Sequence, residues 1–422
     1  MANLYLVDST GANVRELCYD QEHNWNPVVM NDGRVMYSRW EYTDTPHYFT
    51  RLLFAMNPDG TGQMALYGSN SYWPNSIFNA RPIPGHPTKV VAVISGHHGV
   101  PRMGELVIFD TAVGRNEAAG AVQRIPGYGK KVESIIRDGL VEGSWPKFLH
   151  PYPLSGNYFL VASQPDPAAP WGIYLADVFD NLVPILEMPG HALFEPVPLR
   201  PTKRPPAIPQ RIVPGEKEAV VYMADVYAGQ AMKGVPRGSV KKLRIFEYHF
   251  AYRNMGGHIN IGIDGPWDAR RVLGTVPVQK DGSAYFKIPA NTPVAVQPLD
   301  SQGRAVQIMR SWFTGQPGEK LSCVGCHENA SQTPPSRSIA VSSRQPVEIT
   351  PWRGPARGFS FAREVQPVLD KYCAGCHDGA KPDLPDLRGG QEQTVELKRK
   401  KKIVGFDFDG AYVDLHPYVR SQ

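Results

Sequence analysis

Cysteine is scarce in this chain, with five in 422 residues. That excludes a disulfide-dense scaffold, in which a small core is stapled by many bridges. Long apolar runs are missing as well. No stretch approaches the roughly 18 residues that cross a bilayer as a helix, so no membrane span is expected. Charge is also sparse. Charged residues make up 20% of the chain, and the net charge of +5 equals that of the single run Lys398-Arg399-Lys400-Lys401-Lys402. The remainder is formally neutral. A nucleic-acid protein spreads basic side chains over a face or stripe, so that class is excluded. The run reads as a solvated patch, with docking of an acidic redox partner as the functional alternative.

The cysteine that is present follows a pattern. Four of the five fall in Cys323-Val324-Gly325-Cys326-His327 and Cys373-Ala374-Gly375-Cys376-His377. Each is C-x-x-C-H, the attachment signature of a c-type haem. Thiols at this spacing reach the two vinyl groups of one porphyrin, and the adjacent imidazole lies under the iron. The motifs nominate two covalent haem c groups. Cys323, Cys326, Cys373 and Cys376 would hold them, with His327 and His377 as proximal iron ligands. A four-thiolate zinc site or a thioredoxin-like redox pair also uses C-x-x-C. Neither needs the following His, and the 46 residues between the pairs are long for a zinc ribbon. Cys18 stands alone and reads as a small buried hydrophobe.

A mass of 46.8 kDa leaves room for two or three domains. Gly and Pro, 40 each, with 19 Tyr and 8 Trp, point to short strands joined by turns and a mainly β protein. A degenerate repeat fills the first 200 residues. Leu4-Tyr5-Leu6-Val7-Asp8 recurs as Leu53-Phe54-Ala55-Met56-Asn57, 49 residues on, then as Leu106 to Asp110 and Ile173 to Asp177. Aromatic-proline elements return between them: Trp25-Asn26-Pro27, Trp73-Pro74, Trp145-Pro146 and Phe194-Glu195-Pro196. Several short strands per repeat suit four-stranded propeller blades. The pattern resembles the TolB-type propeller and starts in mid-blade, which predicts a partial propeller over residues 1–198. A complete small β-array is the alternative.

His97 and His98 follow the Val90–Ile94 strand between Gly96 and Gly99. As loop residues at a blade end they are the candidate catalytic groups; exposed loop histidines are the competing reading. Gly127-Tyr128-Gly129-Lys130-Lys131 lacks the spacing and context of a phosphate loop and reads as an ordinary loop. A Pro-rich linker is expected at 199–215 and a β-sandwich at 216–335, with hairpins through Asp281-Gly282 and through Asp300 to Gly303. The first haem motif ends this domain. A second linker covers 336–357. Over 358–422 a small α-helical, cytochrome c-like domain is expected, with Ser360 as N-cap, a kink at Pro367 and a helix delivering the second motif. No Met follows His377 and His416 is the one later His, which makes it a candidate distal ligand. A turn residue beside Pro417 is the plain reading. Met255, His258 and Met309 are the corresponding candidates for the first haem.

The succession of propeller repeats, Pro-rich linker, β-domain ending in Cys323-Val-Gly-Cys-His327 and second haem domain resembles the alpha subunit of hydrazine synthase. Gly282-Ser283-Ala284-Tyr285-Phe286-Lys287-Ile288-Pro289-Ala290 and Glu319-Lys320-Leu321-Ser322-Cys323 carry the likeness to that family's middle domain. The resemblance implies a catalytic middle haem, condensing ammonia with a hydroxylamine-level intermediate, and a C-terminal haem that relays electrons. It also implies a Tyr shortly after the middle motif as an axial ligand. Here 328–345 contains no Tyr, and Ser331 stands where one is expected, so hydrazine formation does not carry over. The reading is a dihaem c-type oxidoreductase acting on a small nitrogen or other redox substrate, with a redox partner protein. An electron-transfer propeller that docks a partner is the alternative. Covalent haem is attached outside the bacterial cytoplasm, yet Met1-Ala2-Asn3 runs straight into Leu4-Tyr5-Leu6-Val7 without an export signal. A periplasmic protein whose natural start is missing reconciles the two.

Overall fold

The computed structural model describes residues 2–41, 51–69, 71–97, 102–250, 263, 269–309, 311–326, 333, 336, 339–399 and 402–419. A short ribbon, β1 (Tyr5–Leu6) with β2 (Arg15–Glu16), comes first. Three antiparallel four-stranded meanders follow. The first is β3 (Asn24–Val29), β4 (Val35–Trp40), β5 (Arg51–Met56) and β6 (Met64–Tyr67). The second is β7 (Ser76–Pro82), β8 (Lys89–Ser95), β9 (Glu105–Asp110) and β10 (Ala121–Ile125). The third is β11 (Lys147–Pro153), β12 (Tyr158–Gln164), β13 (Gly172–Asp177) and β14 (Leu182–Leu186). These are propeller blades, and the repeated segments fall on β5, β9 and β13, the third strand of each. The first repeat falls on β1, so the ribbon occupies the third and fourth positions of a further blade.

Period-two alternation explains the stacking of the blades. On β8, Val90, Ala92 and Ile94 face one core with Met36, Leu53, Ile77 and Phe109. Val91 and Val93 face the other, with Phe148, Phe159 and Tyr174. Successive side chains of a strand point to opposite faces, so one strand serves two blade interfaces. Each such side chain contributes about 1.5–3 kcal/mol on full burial. The repeated acid ends the third strand by capping a turn. Asp8 accepts from the N–H groups of Thr10 and Ala12, and Asp177 from those of Phe179 and Asn181.

One alignment of the repeat needs correction. Trp73-Pro74 and Trp145-Pro146 lie ahead of β7 and β11, whereas Trp25-Asn26-Pro27 lies within β3. Its counterparts are Phe78-Asn79-Ala80 and Leu149-His150-Pro151, where the pairing of β7 and β11 also slips. The aromatic-proline signature had matched two different places in the blade.

Segment 199–215 contains no helix or strand, but it does not hang free. A Cβ on Gly33 would strike the Pro206 carbonyl, so the segment lies hard against the first blade. Arg211 donates its N–H to Asp59 Oδ2 (2.5 Å), and Val213 donates to the Pro317 carbonyl (2.8 Å). The segment is a strap between blade and sandwich.

The sandwich packs two sheets. One runs β18 (Ala284–Pro289), β15 (Glu218–Met223), β21 (Lys320–Cys323); the other runs β20 (Phe313–Thr314), β19 (Pro293–Leu299), β16 (Lys242–His249), β17 (Ala269–Pro277), β22 (Arg357–Gly358). Val221, Phe286 and Ile288 from the first face Leu243, Ile245 and Val296 from the second. Of the two expected hairpins, the one through Asp281-Gly282 does not form and the one through Asp300 to Gly303 forms only in part. β17 and β18 are consecutive but belong to opposite sheets, because both present an apolar face that must meet across the core. After Asp300 to Gly303 the chain returns to β19 through a single bridge, Leu299 with Ala305.

The C-terminal segment is less helical than expected. A π-helical turn (Phe361–Val365) leads into α1 (Gln366–Tyr372), and α2 (Gly410–Leu415) packs Ala411 against Leu369 and Leu387. Between them stands a hairpin, β23 (Glu392–Arg399) with β24 (Lys402–Asp409). Pro367 sits in the first turn of α1, where its missing N–H costs nothing. The change from π-helical to α-helical turns falls directly before it. Ser360 is the N-cap by position, but its side chain makes no capping bond.

Candidate functional site

The first cysteine pair is placed by a parallel strand. β21 pairs with β15 so that Cys323 stands opposite Met223. The Cys323 and Val324 carbonyls then accept from the N–H groups of Ala224 and Asp225, both at 2.9 Å. Gly325 has no room for a side chain, since a Cβ would meet the Ala228 and Asp225 carbonyl oxygens. The turn that crowds it is itself held. Arg237 forks onto both Asp225 carboxylate oxygens (2.9 and 3.2 Å) and donates to the Asp281 carbonyl. A fork of this kind fixes geometry as well as adding energy. The sequence offered Gly325 as a motif residue only, and Asp225, Ala228 and Arg237 carried no signal.

Cys323 and Cys326 line a cavity of about 1710 Å³ between the first blade and the sandwich. Met64 and Leu66 from β6 form one side, Val221 and Met223 from β15 another, and Met309 also lies on its wall. The volume exceeds the roughly 300–1,000 Å³ of a site for a drug-sized ligand, so it is large enough for a group the size of a porphyrin. Glu319 lies on the same wall. Burial raises its pKa above the usual carboxylate range, although it accepts from the N–H groups of Gly62 (2.7 Å) and Gln316 (2.8 Å). His327, Met255, His258 and Ser331 lie outside the described residues.

Blade and sandwich are tied beside this cavity by buried polar bonds. Trp312 Nε1 donates to Asp20 Oδ1 (2.9 Å), and Gln316 Nε2 donates to the Leu17 carbonyl (3.1 Å). Arg39 reaches Asp20 (3.3 Å) and Glu41 (2.9 Å), its guanidinium between the rings of Phe54 and Trp312. Cys18 is fully buried nearby, packed with Leu17, Tyr37 and Met56 as a small hydrophobe.

The second pair is delivered by α1. The N–H groups of Cys373 and Ala374 bond back to the Leu369 carbonyl, and those of Cys376 and His377 to the Cys373 carbonyl. His377 Nδ1 lies 3.1 Å from the Pro385 carbonyl oxygen. A carbonyl only accepts, so Nδ1 carries the proton and Nε2 keeps its lone pair for a metal. The loop holding Pro385 is braced by Arg388 on Asp386, whose carboxyl is held down to about 2, and by Leu387, which donates to the His377 carbonyl. His416 begins the 3₁₀ turn after α2, edge-on to Tyr412, directly after Leu415, which packs in the cluster containing Cys373.

His97 does not line the large cavity. Its side chain is largely covered, beside Asp138 (Nδ1 to Oδ1 3.5 Å) and edge-on to Trp40, at the margin of a cluster of His23, Trp25 and Trp40. His98 lies outside the described residues.

Residues 238–328 match the family described as the hydrazine synthase alpha subunit middle domain. Hydrazine synthase subunit alpha of Kuenenia stuttgartiensis is 23% identical over 232 residues, covering 39% of this chain and 28% of that protein. The solved structure of Kuenenia stuttgartiensis hydrazine synthase superposes with a TM-score of 0.69 at 18% identity, over 95% of this chain and 60% of that one. The mainly β fold is shared along nearly the whole length, and the matched middle domain is the one that contains Cys323 and Cys326. No described helix is long and apolar enough to cross a membrane.

Proposed function

We propose that this hydrazine synthase alpha-like chain is an extracytoplasmic c-type cytochrome with two covalent haems and an oxidoreductase site at the first. The observation that carries the reading is the cavity of about 1710 Å³ with Cys323 and Cys326 on its wall. Cys323 and Cys326 would add their S–H bonds across the two vinyl groups of one porphyrin, with His327 as its ligand. Cys373 and Cys376 would do the same for a second, with His377 beneath it. When bound, the haems supply one-electron chemistry at iron.

The chain's own residues then differ at the two sites. The Pro385 carbonyl keeps the His377 proton on Nδ1, so that Nε2 points its lone pair away from the loop. Leu369 and Leu387 pack together under the helix that carries the second motif, while most of the rest of that helix faces solvent. That site suits electron relay. The first seat opens on a volume larger than a porphyrin needs, which leaves room for a small substrate. Hydrazine formation lies outside the proposal, because no Tyr stands in 328–345. The domains proposed are a partial propeller (1–198), a strap (199–215), a haem-bearing sandwich (216–335), a linker (336–357) and a cytochrome c-like domain (358–422). A redox partner protein is part of the reading; the named relative is itself called a subunit.

Cyanide or NO binding to the reduced and oxidised holoprotein tests the assignment of roles. One haem per chain should bind the added ligand. Two six-coordinate irons that bind neither would instead make the chain an electron carrier only.

A further inference from the structure

The first strands of the three blades share a feature that the haem sites do not use. Each is broken by a register slip at a residue with a left-handed backbone: Asn26 (φ 52°), Asn79 (φ 51°) and His150 (φ 47°). Glu195 (φ 55°), in the fourth copy of the aromatic-proline element, has the same conformation. Asn and His enter this region more readily than most residues, whereas for Glu it is strained. β7 packs against both β3 and β11, so the repeated position is brought together in space. All four residues line one cavity of about 170 Å³.

We propose that Asn26, Asn79, His150 and Glu195 form a divalent-cation site where the first strands of the blades converge. The donors are a carboxylate, an imidazole and two carboxamides. His150 Nε2 and Glu195 Oε1 are 3.8 Å apart. That is too long for a hydrogen bond, but ligands of one ion with bonds of about 2.0–2.4 Å stand roughly 3–4 Å apart. Among the described residues His150 Nε2 makes no hydrogen bond and neither does the half-buried Asn79 side chain, so both are open to a ligand, while Nδ1 is buried on the far side of the ring. Mixed nitrogen and oxygen donors suit manganese-like ions better than calcium, which prefers oxygen alone. Arg81 lines the same cavity and opposes the cation. Glu195 offsets that charge, so the affinity is modest.

The test uses the full chain and Mn²⁺ as the probe, with the electron paramagnetic resonance signal of free aqueous Mn²⁺ reporting binding. His150→Gly and Asn79→Gly each remove a donor while suiting the left-handed backbone, so the fold is retained. Their unchanged melting temperature without metal verifies this. Wild type should take up one Mn²⁺ and melt at a higher temperature with it. Both glycine variants should bind about tenfold more weakly, and Arg81→Gln more tightly. A free-ion signal unchanged by wild type, or equal binding by wild type and both glycine variants, would overturn the site. Either result leaves the haem assignment untouched.

Discussion

Gly325 and Gly375 hold the same place in two copies of one motif, but their surroundings differ. A Cβ at Gly325 meets backbone oxygens, which cannot swing aside as a side chain would, whereas at Gly375 nothing lies within 4 Å. Gly325→Ala should therefore cost about 1–3 kcal/mol, the usual range for overpacking, and lower occupancy at the first haem seat. Gly375→Ala should be neutral in thermal melting and in haem content. A second residue prediction concerns pH. Asp386 has its carboxyl pKa lowered to about 2, first by the Arg388 side chain and then by the Arg388 N–H. A depressed folded-state value contributes stability above the ordinary carboxylate range and loses it as pH falls through about 2. The gap in melting temperature between wild type and Asp386→Asn should be present at pH 5 and close near pH 2. At this scale the sequence named the motif cysteines and histidines outright. It did not name Asp225, Arg237 or the Pro385 carbonyl, because they act through backbone geometry that no spacing rule encodes.

Among the elements, the blades were legible because turn chemistry marks them. Asp8, Asp110 and Asp177 each bond N–H groups of the turn that follows, and after β5, where Asn57 takes that place, Asp59 does so. The sandwich hairpin through Asp281-Gly282 was misread for a related reason. Asp281-Gly282 does make a turn, but a turn does not say whether the following strand joins the same sheet or the opposite one. Tertiary burial decides, and it sends β18 to pair with β15. The hairpin β23–β24 was missed because Lys398 to Lys402 reads as a solvated patch, while in the structure Lys398 and Arg399 end one strand and Lys402 begins the next. The contact between blade and sandwich is a further product of the three-dimensional fold. Arg39, Asp20 and Glu41 are almost wholly buried there. Removing one partner of a buried ionic group costs about 3–5 kcal/mol. Arg39→Leu should therefore lower the melting temperature sharply, while Arg34→Leu, whose ion pair with Asp32 is exposed, should change it little. Equal shifts for the two variants would refute a structural role for the buried cluster.

Across the whole molecule, a run of propeller blades is strapped by 199–215 to a sandwich that presents one cysteine pair to a large cavity. A smaller C-terminal unit presents the other pair on a short helix. The two sites are built differently, so each should fill without the other. The haem count per chain, measured as the pyridine haemochrome of protein matured in a c-type cytochrome host, is the most direct test. Two haems are expected in wild type, one in Cys323→Ala/Cys326→Ala and one in Cys373→Ala/Cys376→Ala. A wild-type protein without covalent haem, or a count that either double variant leaves unchanged, would contradict the account.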